Sequence, residues 1–180
     1  SVKNITRTSD GITLDLSESQ QSFEKVIFAT PPDQVMKLLV DPTPAETRRF
    51  ERWQPNYART FLHADTSMYK SYGIAQPSEF DFFKTDQGWG YNAFLNQLCD
   101  IKSGQCYSLA FNIASLIDKN KIIHIQEHHT PLYTTESFHY RDQIVKTNGE
   151  NNTYHVGAYL GDGLHEGAVT SAMKVAKLIQ

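Results

Sequence analysis

Close to its C-terminus the chain reads Gly161-Asp-Gly163-Leu-His-Glu166-Gly167 and then enters a helical pattern. A glycine-rich loop that opens a helix aims unpaired backbone N–H groups, and the positive end of the helix dipole, at one point where an anion or an electron-rich oxygen can rest. This corner is the strongest candidate for cofactor chemistry in the sequence. Its glycine spacing approaches a dinucleotide fingerprint, but that motif opens a strand-helix-strand unit with an acidic residue about 20 positions further on. Here the sequence reaches Gln180 first. Glycines that merely turn a corner are the competing reading.

The remaining chemistry-bearing residues are less well placed. His124, Glu127, His128 and His129 are metal-ligand types, yet in a strand His124 and His128 lie roughly 13 Å apart and adjacent histidines point to opposite faces. No metal site is expected. These side chains read as surface or partly buried polar groups, with Pro131 ending their strand. Cys99 and Cys106 match no dithiol motif and read as buried structural thiols in a reducing cytoplasm. A serine hydrolase has no support, since no G-x-S-x-G elbow occurs. Trp53, Phe82, Phe83, Trp89 and Tyr91 could line an apolar substrate cavity, but packing in a core is the commoner fate of each.

The elements that must position these residues follow from pattern. Val2 to Thr8 and Ile12 to Leu16 alternate on either side of Ser9-Asp-Gly11, a hairpin signal. A polar turn from Ser17 to Ser22 leads to Lys25-Val-Ile-Phe-Ala29, a continuous apolar run that suits a strand buried on both faces. Thr30-Pro-Pro32 stops it, and two helices follow, Asp33 to Val40 and Ala45 to about Arg52. Strand-like stretches then cover Arg59 to Ala64, Phe80 to Lys84, Tyr107 to Ile113 and Ile122 to His128, with a helix from Ser137 to about Lys146 and a loop from Asn148 to Asn152. A strand from Tyr154 to Leu160 precedes the glycine loop. The final helix, His165 to Ile179, is expected to bury Ala168, Val169, Ala172, Met173, Ala176 and Ile179, and its small first residues permit close approach of something bulky.

Bulk properties exclude several classes. With 39% hydrophobic and 21% charged residues over 180 positions, the composition is globular rather than disordered or fibrous. The net charge of −3 and the lack of a Lys/Arg block argue against nucleic acid as a partner. No apolar run approaches the ~20 residues of a membrane helix and no signal segment opens the chain, which points to a cytoplasmic protein. Because it opens inside a strand pattern without Met, the chain is expected to be part of a longer protein.

Taken together, two separated motifs resemble one family. Gly163-Leu-His-Glu-Gly-Ala-Val169, a short loop after Tyr154-His-Val-Gly157, is similar to the C-terminal signature of flavin-containing amine oxidases. Phe23-Glu-Lys-Val-Ile-Phe-Ala-Thr-Pro-Pro32 resembles the segment in which a strand returns to that family's FAD domain. Asn56 to Asp65, Tyr91 to Leu98 and His128 to Leu132 look like its predicted FAD/NAD-binding branch.

The resemblance implies an α+β fold with a mixed, mainly antiparallel sheet and flanking helices, forming the C-terminal, substrate-domain part of an FAD-linked architecture without its N-terminal Rossmann region. Residues 1–40 would return to the FAD domain, 41–146 would form a substrate domain, and 147–180 would complete the FAD site. By the same resemblance Val2 lies on the adenine side of FAD, and Ala29, Thr30 and Pro31 pass near the cofactor. Gly157, Gly163, Leu164, His165, Glu166 and Ala168 approach its ribityl and isoalloxazine parts, with the His165 N–H facing flavin O2. A positive dipole end there favours the negative charge of reduced flavin. The implied activity is oxidation of a small organic substrate by hydride transfer to FAD, with the missing FAD-binding region as partner.

Two departures stand out. Leu164 occupies a position that is aromatic in many amine oxidases, and neither Lys70 nor Lys84 matches the lysine some relatives hold near the flavin. No catalytic side chain is therefore assigned. A noncatalytic binding or assembly module, or a flavin desaturase-like enzyme, is the alternative.

Overall fold

Residues 1–179 are described by a computed structural model, and the chain divides into two units: Ser1–Asn56 with the chain from Thr130 onward, and Tyr57–His129. In the first, the hairpin forms as expected. Strand β1 (Val2–Thr8) pairs antiparallel with β2 (Gly11–Leu16), and Ile5 and Ile12 turn into the core. The stretch read as a polar turn is instead a third strand, β3 (Gln20–Phe23), paired with β2. All four of its residues are exposed, so burial has left no alternation in the sequence to read.

Strand β4 (Val26–Phe28) buries Val26 and Phe28 but leaves Ile27 45% exposed, which corrects the expectation of burial on both faces. A 3-10 turn at Pro32–Gln34 leads into α1 (Val35–Leu38), and α2 (Pro44–Phe50) starts at a capping box between Thr43 and Glu46. Glu46 also accepts from both terminal nitrogens of Arg7, at 2.5 and 2.8 Å. Burial alone would raise the Glu46 pKa, but the hydrogen bonds and charge of Arg7 hold it at about 2.

The chain leaves the first unit within β5 (Gln54–His63). After α3 (Ser67–Ser71), β6 (Phe80–Thr85), β7 (Gly88–Phe94), α4 (Leu95–Leu98) and β8 (Ser108–Phe111), it returns within β9 (Ile122–Leu132). The sheet order is β6-β7-β8-β5-β9. One face packs Phe83 and Ala110 against Met68, Tyr69, Ile113 and Ile117. A buried polar network lies within it: His63 Nε2 meets Asn92 Oδ1 at 2.9 Å, and Asn92 Nδ2 donates to Tyr69 and Ser108. Strand β9 runs through Pro131 to Leu132 rather than stopping there. Core packing holds for Phe83 and, in the first unit, Trp53, whereas Phe82 and Trp89 are 68% and 64% exposed.

Back in the first unit, α5 (Thr135–His139) and α6 (Arg141–Lys146) precede β10 (Thr153–His155). The strand expected from Tyr154 to Leu160 is only these three residues, because Gly157 takes φ 149° and Ala158–Leu160 close into a 3-10 turn. Strand β10 runs parallel to β4. Its other edge is occupied by a side chain: Asn148 Oδ1 accepts from the His155 N–H at 2.7 Å and Asn148 Nδ2 donates to the His155 carbonyl at 3.2 Å.

The last element, α7 (His165–Leu178), buries Gly167, Ser171 and Val175. This overturns the expected face: Val169, Ala172, Met173 and Ala176 are exposed, and only Ala168 and Ile179 of the expected set are partly covered. A ridge of small residues lets α7 lie close to Tyr154 and Val156, and the apolar stripe faces away. Among the described residues no helix is long and apolar enough to cross a membrane.

Candidate functional site

The parallel pairing of β4 and β10 sets Phe28 opposite His155, and the Val156 N–H donates to the Phe28 carbonyl at 3.0 Å. Both strands therefore end at the same edge, from which Ala29-Thr30-Pro31 and Gly157 leave side by side. In open parallel sheets this carboxyl edge, where connections diverge, is where ligands bind. Gly157 is anchored through its N–H to the Ser171 hydroxyl at 2.9 Å, so the turn after β10 is tied to α7.

The glycine loop then reaches the helix. Arg141 donates to the Gly161 carbonyl, and the Gly163 N–H donates to the Ala158 carbonyl at 3.0 Å. Gly163 has φ +86°, a conformation that favours glycine. Asp162 caps α7 from two residues before its N-cap, its Oδ1 accepting from Leu164 N–H at 2.8 Å and Gly167 N–H at 3.0 Å. The N–H groups of His165 and Glu166 take no partner among the described residues.

The glycines have a second job. A Cβ at Gly167 would lie 2.4 Å from Asp162 Oδ1 and one at Gly161 would lie 2.5 Å from the Gly167 Cα. The close approach anticipated at the start of the helix is therefore made by the chain's own loop.

Ala29, Thr30, Pro31, Gly157, Gly163, Leu164, His165, Glu166 and Ala168 all belong to the β4 and β10 ends or to the loop and first turns of α7. Val2 stands apart at the start of β1, in a sheet joined through the Ile5–Leu39 bridge to the residue that ends α1. Leu164 and His165 are exposed, Leu164 by 68%. The buried Thr30 Oγ1 has no hydrogen-bond partner. An orphaned hydroxyl at the strand end and two free amides at a helix N-terminus fit a polar, electron-rich cofactor such as FAD.

Sequence reasoning missed Asp162, Ser171, Arg141 and Asn148. Only Asp162 carried a signal, being an acidic residue just ahead of a helix. It also missed the condition of His155, which stacks on Phe28 at 5.3 Å and meets the tilted ring of Phe50 at 4.6 Å. Burial drives its pKa down to about 3.

The other candidates disperse. His128 meets Thr60 Oγ1 at 2.9 Å, His129 stacks on Tyr57, and no three metal-ligating side chains converge among the described residues. Both cysteines are free, and Cys99 is exposed rather than buried.

No protein-family model and no curated protein matches the sequence. Solved structures do. A putrescine oxidase redesigned in its cofactor binding matches with TM-score 0.66 at 11% identity, over 99% of this chain and 48% of its own. Cyclohexylamine oxidase from Brevibacterium oxydans matches with TM-score 0.59 at 12% identity, over 100% of this chain and 49% of its own. A CLA-producing fatty acid isomerase from P. acnes matches with TM-score 0.58 at 13% identity, over 87% of this chain and 41% of its own. The likeness fixes the fold. This chain has the α+β, mainly antiparallel architecture of one part of the amine-oxidase fold and spans about half the length of the solved chains it matches.

Proposed function

We propose that this chain is the C-terminal part of an FAD-dependent oxidoreductase of the amine-oxidase type. The observation that carries the reading is the α7 N-terminus, with its free His165 and Glu166 amides, reached from the carboxyl end of the β4–β10 pair through the Gly157 turn and the glycine loop. Bound FAD would supply the hydride acceptor for oxidation of a small organic substrate. The chain's own part is electrostatic: the two amides and the dipole stabilise negative charge set before them by about 0.3–1 kcal/mol at an exposed helix end, more when water is excluded. Thr30 Oγ1 would donate to the cofactor, and Val2, Ala29, Pro31, Gly157, Gly163, Leu164 and Ala168 would form its walls. In this reading residues 1–40 and 147–180 serve the cofactor and 41–146 the substrate.

Two bare surfaces support a missing FAD-binding region as partner. Parallel sheets are normally covered on both faces, yet Ile27 is exposed and β4 pairs only with β10 among the described residues. The apolar stripe of α7 is bare as well. The intact protein, purified or reconstituted with FAD, should show flavin absorbance; a colourless protein that takes up no FAD would end this reading. These 180 residues contain no complete G-x-G-x-x-G, so FAD titrated into this chain alone should bind more weakly than micromolar.

A second reading concerns the substrate. By strand register, one face of the second unit's sheet carries Phe80, Phe82, Trp89, Tyr91, Leu109, Phe111 and Leu62 together with Thr60 and Lys84, so its charged group on these four strands is a cation and none is a carboxylate. An apolar, desaturase-type substrate suits such a face better than an amine. Turnover of putrescine-like diamines by the flavin-loaded protein would count against it.

A further inference from the structure

The loop between α6 and β10 carries Asn148-Gly149, the one Asn-Gly pair in the chain. This dipeptide is the most prone of its kind to deamidate, because glycine has no Cβ to obstruct ring closure and reaches the backbone angles that closure needs. The backbone nitrogen of Gly149 gives up its proton and attacks Asn148 Cγ; the N–Cγ bond forms, the Cγ–Nδ2 bond breaks, and ammonia leaves. Water then opens the succinimide at either carbonyl, giving aspartate or isoaspartate. No oxidant, metal or enzyme enters the balance.

The fold holds both reacting groups. Gly149, at φ +100°, donates its N–H to the Thr153 carbonyl at 3.0 Å. Losing that proton in place would turn two lone pairs toward each other. The Asn148 carboxamide is spread along β10, Oδ1 accepting from the His155 N–H at 2.7 Å and Nδ2 donating to the His155 carbonyl at 3.2 Å. The His155 N–H polarises the carboxamide and by itself favours attack, so position protects Asn148, not electronics. Water is not excluded: Asn148 is half-buried and lines a cavity of about 240 Å³ beside α6 and α7.

The product does not fit the same place. An aspartate can still accept from the His155 N–H, but it has no donor for the His155 carbonyl, and two oxygens would face each other there. An isoaspartate also adds a methylene to the backbone, which carries Gly149 away from Thr153.

We infer that Asn148 is a modification site gated by folding: unreactive while it spans β10, the first asparagine to deamidate once β10 opens, and unable to close again after reaction. A chain that has opened here is thereby marked. Attack requires the Gly149 bond and the two Asn148 bonds to break together. With each bond worth about a factor of five, the folded chain should react about a hundredfold more slowly than the unfolded one.

The test holds the full chain at one neutral pH and temperature, in native buffer and in guanidinium chloride. Residues 147–174, released by trypsin, are then sequenced by tandem mass spectrometry. In denaturant Asn148 should react before Asn151 and Asn152, giving both aspartate and isoaspartate; in native buffer it should react at least about tenfold more slowly. Native-state hydrogen exchange gives a readout specific to this loop: the Gly149 amide and the Asn148 reaction need the same opening, so the two should be slowed by factors that agree within about threefold. After return to native buffer, modified molecules should lack protection at the His155 amide. Asn148→Asp, which makes one product directly, should lower the folding equilibrium constant about tenfold, and the comparison on the unaltered chain needs no variant to fold. Equal rates in the two buffers, first reaction at Asn151 or Asn152, slowing that departs from Gly149 exchange, or full His155 protection in the modified chain would each overturn the assignment.

Discussion

Replacing Gly167 by alanine is normally a favourable change inside a helix, worth about 1 kcal/mol by propensity. Here the opposite is expected. The new Cβ would meet Asp162 Oδ1 at 2.4 Å, the Asp162 backbone nitrogen at 2.7 Å and the Gly161 Cα at 3.1 Å. Side-chain motion relieves only the first of these contacts, so the loop itself must shift, at about 1–3 kcal/mol for overpacking. As Asp162 moves, it releases the N–H groups of Leu164 and Gly167, a cap worth about 1 kcal/mol. Less the propensity gain, the net loss is about 1–3 kcal/mol. With a urea slope near 2 kcal/mol/M, the unfolding midpoint should fall by roughly 0.5–1.5 M. Asp162→Ala alone should cost about 1 kcal/mol through the cap, and adding Gly167→Ala to it should cost less than in the parent, since the shortest contact is gone. A Gly167→Ala midpoint equal to or above that of the parent would refute the argument that these glycines exist for close approach.

Acid should destabilise the fold in a specific window. His155 titrates near 3 when folded against 6.5 unfolded, so above that value neither state binds the proton; below it only the unfolded state does, and stability falls at up to about 1.4 kcal/mol per unit until the folded pKa is reached. Burial pushes His63 in the same direction. His155→Phe, which keeps an aromatic ring against Phe28 and Phe50, should flatten the stability profile measured by urea titration between pH 6.5 and 5; an unchanged slope would remove His155 from the account. Met173→Glu, on a residue 58% exposed, should leave the melting temperature of this chain within a degree or two. It should weaken association with the cofactor-binding region in a pull-down, and equal capture would show that the bare stripe is not its docking face.

Legibility in the sequence tracked burial. The β1–β2 hairpin was readable because Ile5 and Ile12 alternate with polar neighbours on a half-buried surface, while β3 exposes every residue and left no trace. The period of α7 was plain, but its orientation was not. Gly167, Ser171 and Val175 make its contacts, and such small residues score poorly as a core face beside Val169 and Met173. Hydrophobicity marked the face left bare. At the candidate site the glycines announced the loop, whereas Asn148 and Ser171 stayed hidden because each holds backbone groups with a polar side chain that follows no period.

Asn148 has one more consequence. By satisfying both exposed backbone groups of His155 it closes one side of the small parallel sheet, and Gly149 adds an N–H to the Thr153 carbonyl on that side at 3.0 Å. Growth is thereby restricted to a single direction, past β4. Two copies meeting there around a two-fold axis would bring their β4 strands together antiparallel, against the parallel grain already set by β10. A foreign strand that continues that grain would occupy the same edge, so completion of the sheet and self-pairing exclude one another.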